Sequence, residues 1–216
     1  IKSNLSADEK NNAKVFSQED KEKILGYVIN YQNDTFSLAM KPKDVQKNLM
    51  NRSKMPNKKE LLRFMMSIYD PLGFYGFYIA KIKLLYHWTC KEKADWNELI
   101  DEKHVSYWEK ILSWFPAICQ IEIPRSYSNM IDLAHTKQLL MFCDAGKEMI
   151  CNVAFIRLLD QDRKQIDYKF VASKTYTVPL KQNRTIPELE LDAAKRNVKF
   201  MQQITSGHSI AFNEIF

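Results

Sequence analysis

Two carboxylates in this chain stand where metal-assisted chemistry could be done. Asp144 closes an apolar run, Leu139-Leu140-Met141-Phe142-Cys143-Asp144, that reads as a β-strand. An acid at the margin of a sheet is partly desolvated and can hold a hard cation. The same Asp-Ala-Gly triplet also reads as an ordinary strand-end turn. Glu190 lies in a helical stretch with Ala193 and Ala194 at i+3 and i+4. Small residues let a helix lie close to a sheet, so a carboxylate on that face is expected to point inward. Glu188 and Asp192 are expected to project elsewhere and serve the cap or solvent. A two-metal phosphodiesterase needs several carboxylates converging on ions about 4 Å apart, and this layout supplies two of them.

Other chemistry is thin. Cys90, Cys119, Cys143 and Cys151 show no CxxC spacing and read as reduced, packed thiols. His87 and Cys90 lie three apart, but no second pair completes a zinc site. Cations are more informative. Lys41, Lys43, Lys47, Arg52, Lys54, Lys58 and Lys59 face only Asp44 and Glu60, so net +5 of the chain's +6 falls in that stretch. Such a run is either a solvated linker or a set of phosphate contacts.

The elements that must position these residues follow from pattern. The 216 residues are 45% hydrophobic and 27% charged, enough to fill a core and exclude wholesale disorder. No apolar run approaches the ~18 residues of a membrane span. Ile24–Ile29 and Thr35–Met40 read as two strands of a hairpin. Three helices are expected next. The first is capped by Asn57 with Glu60 three residues on, and broken by Asp70-Pro71-Leu72-Gly73. The second spans about Phe77 to Trp88, and the third covers Val105 to Phe115, ending before Pro116. Three strands follow at Gln138–Asp144, Ile150–Leu158 and Asp167–Ser173. A helix capped by Thr185 and Glu188 then runs to about Gln203, and a last strand starts at Ile210. The fold class is mixed α/β. A β-hairpin plus helical segment (residues 1–128) precedes a truncated β-β-β-α-β domain (residues 129–216).

A series of motifs carries a family resemblance. Phe142-Cys143-Asp144-Ala145-Gly146, Ala172-Ser173-Lys174-Thr175, Val178-Pro179-Leu180 and Thr185-Ile186-Pro187-Glu188-Leu189-Glu190-Leu191-Asp192-Ala193-Ala194 resemble Bel/Pao retrotransposon pol polyproteins at the start of their ribonuclease H domain. Upstream, Ile24–Ile29 with Asp34-Thr35-Phe36 is similar to the segment joining reverse-transcriptase palm and thumb. Ser67-Ile68-Tyr69-Asp70-Pro71-Leu72-Gly73, Trp88, Trp96, Trp108 and Ile123-Pro124-Arg125 fit the next block. The resemblance implies a piece of a pol polyprotein that includes a thumb or connection region and a ribonuclease H-like fold. It implies an intracellular protein with no membrane contact, whose partners are an RNA–DNA hybrid and the remainder of the polyprotein. Asp144 and Glu190 become the first two acids of a Mg²⁺ site that cuts RNA in the hybrid, the basic stretch becomes a backbone contact, and the isolated chain is expected not to cleave. Departures from the family pattern stand at Gly146, Cys151-Asn152, Phe77 and Glu188.

Two other functions compete. A non-catalytic nucleic-acid-binding or structural remnant needs only the cations. An aspartic peptidase, which a common name for the family region suggests, is less favoured. That chemistry uses two Asp-Thr/Ser-Gly loops sharing a proton. Ala145 removes the hydroxyl here, and Thr205-Ser206-Gly207-His208 is polar.

Overall fold

The computed structural model describes residues 21–39, 55–181 and 183–216. Leu25 and Gly26 take the left-handed region, φ 47° and 87°. Two such residues make the tight turn that matches strand twist in a hairpin. The strand expected over Ile24–Ile29 is therefore two strands, β1 (Lys21–Ile24) and β2 (Tyr27–Asn30), paired Ile24 to Tyr27. Only glycine fits at 26, since a Cβ there would lie 2.2 Å from the Tyr69 carbonyl oxygen. β3 (Thr35–Leu38) and β4 (Ile123–Pro124) complete an antiparallel sheet in the order β1-β2-β3-β4.

Helix α1 (Lys58–Ser67) begins with the expected box. The Glu60 amide donates to Asn57 Oδ1, and the Asn57 amide to Glu60 Oε2, both at 2.9 Å. Asp70 then organises the turn into α2 (Gly76–Lys91). It accepts the Phe74 and Tyr75 amides at 3.0 and 2.8 Å, together with the Tyr27 hydroxyl. A 3₁₀ turn, Glu102–His104, leads into α3 (Val105–Ile118). This helix runs through Pro116 instead of stopping before it. In the last turn a missing N–H removes one bond, and the Cys119 amide still reaches Phe115 O at 3.1 Å. Leu61, Phe64, Tyr78, Ile82, Leu85, Trp108 and Phe115 fill the core between these helices, with Phe64 edge-on to Trp108 at 5.4 Å.

The second sheet runs longer than its sequence pattern. β5 (Thr136–Ala145), β6 (Met149–Leu159) and β7 (Gln165–Thr177) form an antiparallel meander. β8 (Glu214–Ile215) joins β5 in parallel, giving the order β7-β6-β5-β8. The strand expected from Ile210 is reduced to this pair. Helix α4 (Ile186–Gly207) continues four residues past the expected Gln203 and buries Leu189, Ala193, Phe200 and Ile204. Those side chains pack on Ile150, Ala154, Ile156 and Leu158 of one sheet face. The opposite face meets the helical half. Phe74 packs on Phe170 at 5.5 Å, and the Ser173 hydroxyl donates to Gly73 O at 2.6 Å. Lys83 Nζ donates to Thr175 O at 2.8 Å. These contacts join the two sides of residue 128.

Candidate functional site

The ends of β5 and β7 and the start of α4 converge with the last turns of α2. Gly146 N–H closes the β5–β6 hairpin on Met149 O at 2.8 Å, and the Val178 amide docks on Glu148 O at 2.9 Å. Trp88 Nε1 from α2 donates to Glu148 Oε1 at 2.8 Å, and the indole is stacked on His104 at 5.5 Å. Between these walls lies an open cleft of about 820 Å³. His87 and Lys91 come from α2, Lys147 and Glu148 from the hairpin, and Arg184 and Thr185 from the entry to α4.

Three cations against one acid make this cleft electropositive. Burial holds His87 below its ordinary pKa, Glu148 pulls the other way, and Lys91 adds to the depression. Arg184 is braced by Asp192 at 2.9 Å, and Asp192 also meets Arg196 at 3.2 Å. Although burial opposes it, the two arginines hold the Asp192 carboxyl below the usual range. Glu188 receives both the Thr185 amide (2.7 Å) and hydroxyl (2.9 Å), and the first of these bonds depresses its pKa most. Glu188 thus serves the cap, as expected from the sequence, whereas Asp192 is engaged by two arginines instead of cap or solvent.

A sheet of this order, with a helix between its third and fourth strands and acids at the strand end and on that helix, suits a nuclease-like fold. The model of the Pao retrotransposon-like RNaseH-like domain family matches residues 57–216. The chain belongs to this family. The match starts at α1 and includes both sides of residue 128. Among curated proteins nothing matches the chain. It is thus part of the Bel/Pao retrotransposon pol region, with a mixed α/β fold of two sheets and four helices among the described residues.

In the Pao RNase H-like chain the two candidate acids stand on different elements, Asp144 on β5 and Glu190 on α4. Asp144 pairs across the ladder with Cys151. Since Ala145 and Ile150 face α4, this neighbouring pair faces the side where α2 lies. Burial, and then the negative charge of Asp144, push the Cys151 thiol up. Glu190 is on α4 and exposed instead of pointing inward, because Leu189 and Ala193 are the residues turned to the sheet. Asp144 too is exposed. Both are hard oxygen donors suited to Mg²⁺. However, no three metal-ligating side chains gather among the described residues. The described residues do not close a Mg²⁺ site by themselves.

One departure from the family pattern, Asn152, is absorbed by packing. Asn152 is fully buried, and its Nδ2 donates to Ala193 O at 3.1 Å, tying α4 to β6 while the hairpin register stays regular. Of the basic stretch, Lys41, Lys43, Lys47, Arg52 and Lys54 lie outside the described residues. Lys58 is engaged within the fold: its Nζ donates to Ala94 O at 2.9 Å and lies 5.2 Å from the Trp96 ring. Lys59 is exposed. The cations that do line a cleft, Lys91, Lys147 and Arg184, come from three separate elements, and no linear signal marks them as a set.

Proposed function

We propose that this chain serves Bel/Pao reverse transcription as a nucleic-acid-holding RNase H-like unit of the pol polyprotein. Its substrate is an RNA–DNA hybrid gripped at the strand-end cleft. The observation that carries this reading is the cleft itself: Lys91, Lys147 and Arg184 line one concavity between the hairpin that follows Asp144 and the helix that bears Glu190. Cations in such a setting bind phosphates without reading sequence and release counterions as they do so. Asp144 and Glu190 are the first two acids of the cleavage site, and Mg²⁺ would join only with further carboxylates. The chain by itself binds hybrid and does not cut it. The boundary near residue 128 separates a thumb- or connection-like part from the nuclease-like part in this reading.

Fluorescence anisotropy with a labelled RNA–DNA hybrid, followed by gel analysis in Mg²⁺, tests both halves. Salt-sensitive binding without cleavage is the expected result. Binding that ignores salt, or is absent, sinks the nucleic-acid reading. Mg²⁺-dependent cleavage that disappears in Asp144→Asn overturns the non-cutting half alone.

A further inference from the structure

Beside the cleft, α4 and β7 enclose another depression, of about 350 Å³. Its walls are Lys174 and Tyr176 of β7 and Lys195, Arg196, Lys199 and Phe200 of α4. Each ring is capped by a cation: Arg196 stands 4.6 Å from the Tyr176 centroid, and Lys174 stands 5.0 Å from that of Phe200. Lys174 also donates to the Gln203 amide oxygen. The one acid in the wall, Asp192, is taken by Arg184 and Arg196. Lys195 and Lys199 are exposed and meet no carboxylate among the described residues. The sequence offers no acid between Asp192 and Glu214 to neutralise them.

A row of lysines on a helix is ordinarily a solvated face. Here the cations come from two elements, surround a concavity, and two of them rest on aromatic planes that fix their positions. Lys195 and Lys199 stand one turn apart, about 6 Å along the axis. The groove also continues into the cleft. An intermediate depression of about 490 Å³ shares His87 and Val178–Leu180 with the cleft, and Tyr176 and Arg196 with the groove.

We infer that the α4–β7 groove is a second contact for the sugar–phosphate backbone, engaging the strand that leaves the strand-end cleft. This rests on the nucleic-acid reading above, and continuity with the cleft favours a nucleic-acid strand over an anionic membrane. The full chain is compared with Lys195→Gln/Lys199→Gln by hybrid anisotropy between about 50 and 200 mM salt. The expected result is about five- to tenfold weaker binding at the low end. The log–log salt slope should be shallower by about 1.5 to 2, as two lost phosphate contacts require. Lysine acetylation read by mass spectrometry supplies a second measure: hybrid should protect Lys195 and Lys199 and leave exposed Lys110 of α3 reactive. Unchanged affinity and slope with a binding-competent parent overturn the groove and leave the cleft standing. A parent that binds no hybrid removes both. Equal protection by phosphatidylserine vesicles with none by hybrid assigns the surface to lipid and overturns the inference.

Discussion

Ser173 of β7 and Gly73, a hundred residues apart, are locked together from both sides. The Ser173 amide donates to Leu72 O at 2.9 Å, and its hydroxyl donates to Gly73 O at 2.6 Å. Gly73 has φ 73°, and a Cβ there would come 2.1 Å from the Ser173 carbonyl oxygen. Side-chain-free backbone is thus what lets the turn before α2 reach the second sheet.

Gly73→Ala should therefore destabilise the fold by roughly 2–4 kcal/mol, through strain at positive φ and a backbone clash. For a chain of this size that is a fall in Tm of roughly 5–15 °C by circular dichroism. Gly207→Ala is the control. Nothing lies within 4 Å of a Cβ there, so its melt should stay level or rise slightly. Equal melts for the two variants would remove the junction's role.

Alkali should unfold the protein through its tyrosines. Burial, reinforced by Asp70, raises Tyr27 and pushes Tyr75 up to about 12, while burial raises Tyr78. The unfolded chain releases these protons near pH 10, ahead of the fold. The stability they contribute is therefore complete below about pH 10 and drains away as pH climbs toward 12. Phenolate absorbance should reveal a late class that ionises together with loss of helical circular dichroism. A single step near pH 10 with the helices intact would contradict this.

Glu148→Gln tests the field in the cleft. A glutamine keeps an oxygen for Trp88 Nε1 but removes the one acid that lines the cleft beside Lys91, Lys147 and Arg184. Hybrid should bind roughly two- to threefold tighter at low salt, the size of one charge acting through a water-like dielectric. The gain should fade as ionic strength rises. Weaker binding, with the melt unchanged, would mean that the cleft is not where the phosphates sit.

Asn152→Ala probes the tie between α4 and β6. The substitution loses the bond to Ala193 O and leaves a small void, but it also removes a buried Oδ1 that has no partner. These effects partly cancel, so a cost of about 1–2 kcal/mol is expected in a urea titration. A loss above about 4 kcal/mol would show that the amide does more than space helix from sheet.

Local rules were readable in the sequence, and distant ones were not. The Asn57–Glu60 and Thr185–Glu188 pairs complete their caps within three residues, so their residue types are enough to announce them. The alternation through Ile150–Leu158 marks β6 because one face is buried at every second position. The turn at Leu25-Gly26 escaped because Leu is a strand-former, and its φ of 47° is set by the strands it joins. The partners of Lys58 could not be read from the sequence because Ala94 and Trp96 lie some three dozen residues away. Glu190 read as inward because Ala193 and Ala194 look alike in sequence, yet only Ala193 is buried. The basic cleft needs α2, a hairpin and α4 to meet, a juxtaposition that tertiary packing alone decides.

β8 pairs with β5 over two rungs only, and Glu214 is fastened by Arg163 Nη1 and Nη2 at 3.0 Å each. Whenever that short strand lifts, the stretch Lys137–Met141 of β5 loses its partner and the apolar Leu139-Leu140-Met141 run joins an open strand edge. A long apolar edge of that kind recruits strands from other molecules and starts aggregation. The Arg163–Glu214 clamp, together with the backbone bonds that Asn213 and Phe216 make to Lys137, Leu139 and Met141, thus acts as a gatekeeper that keeps this part of the edge covered.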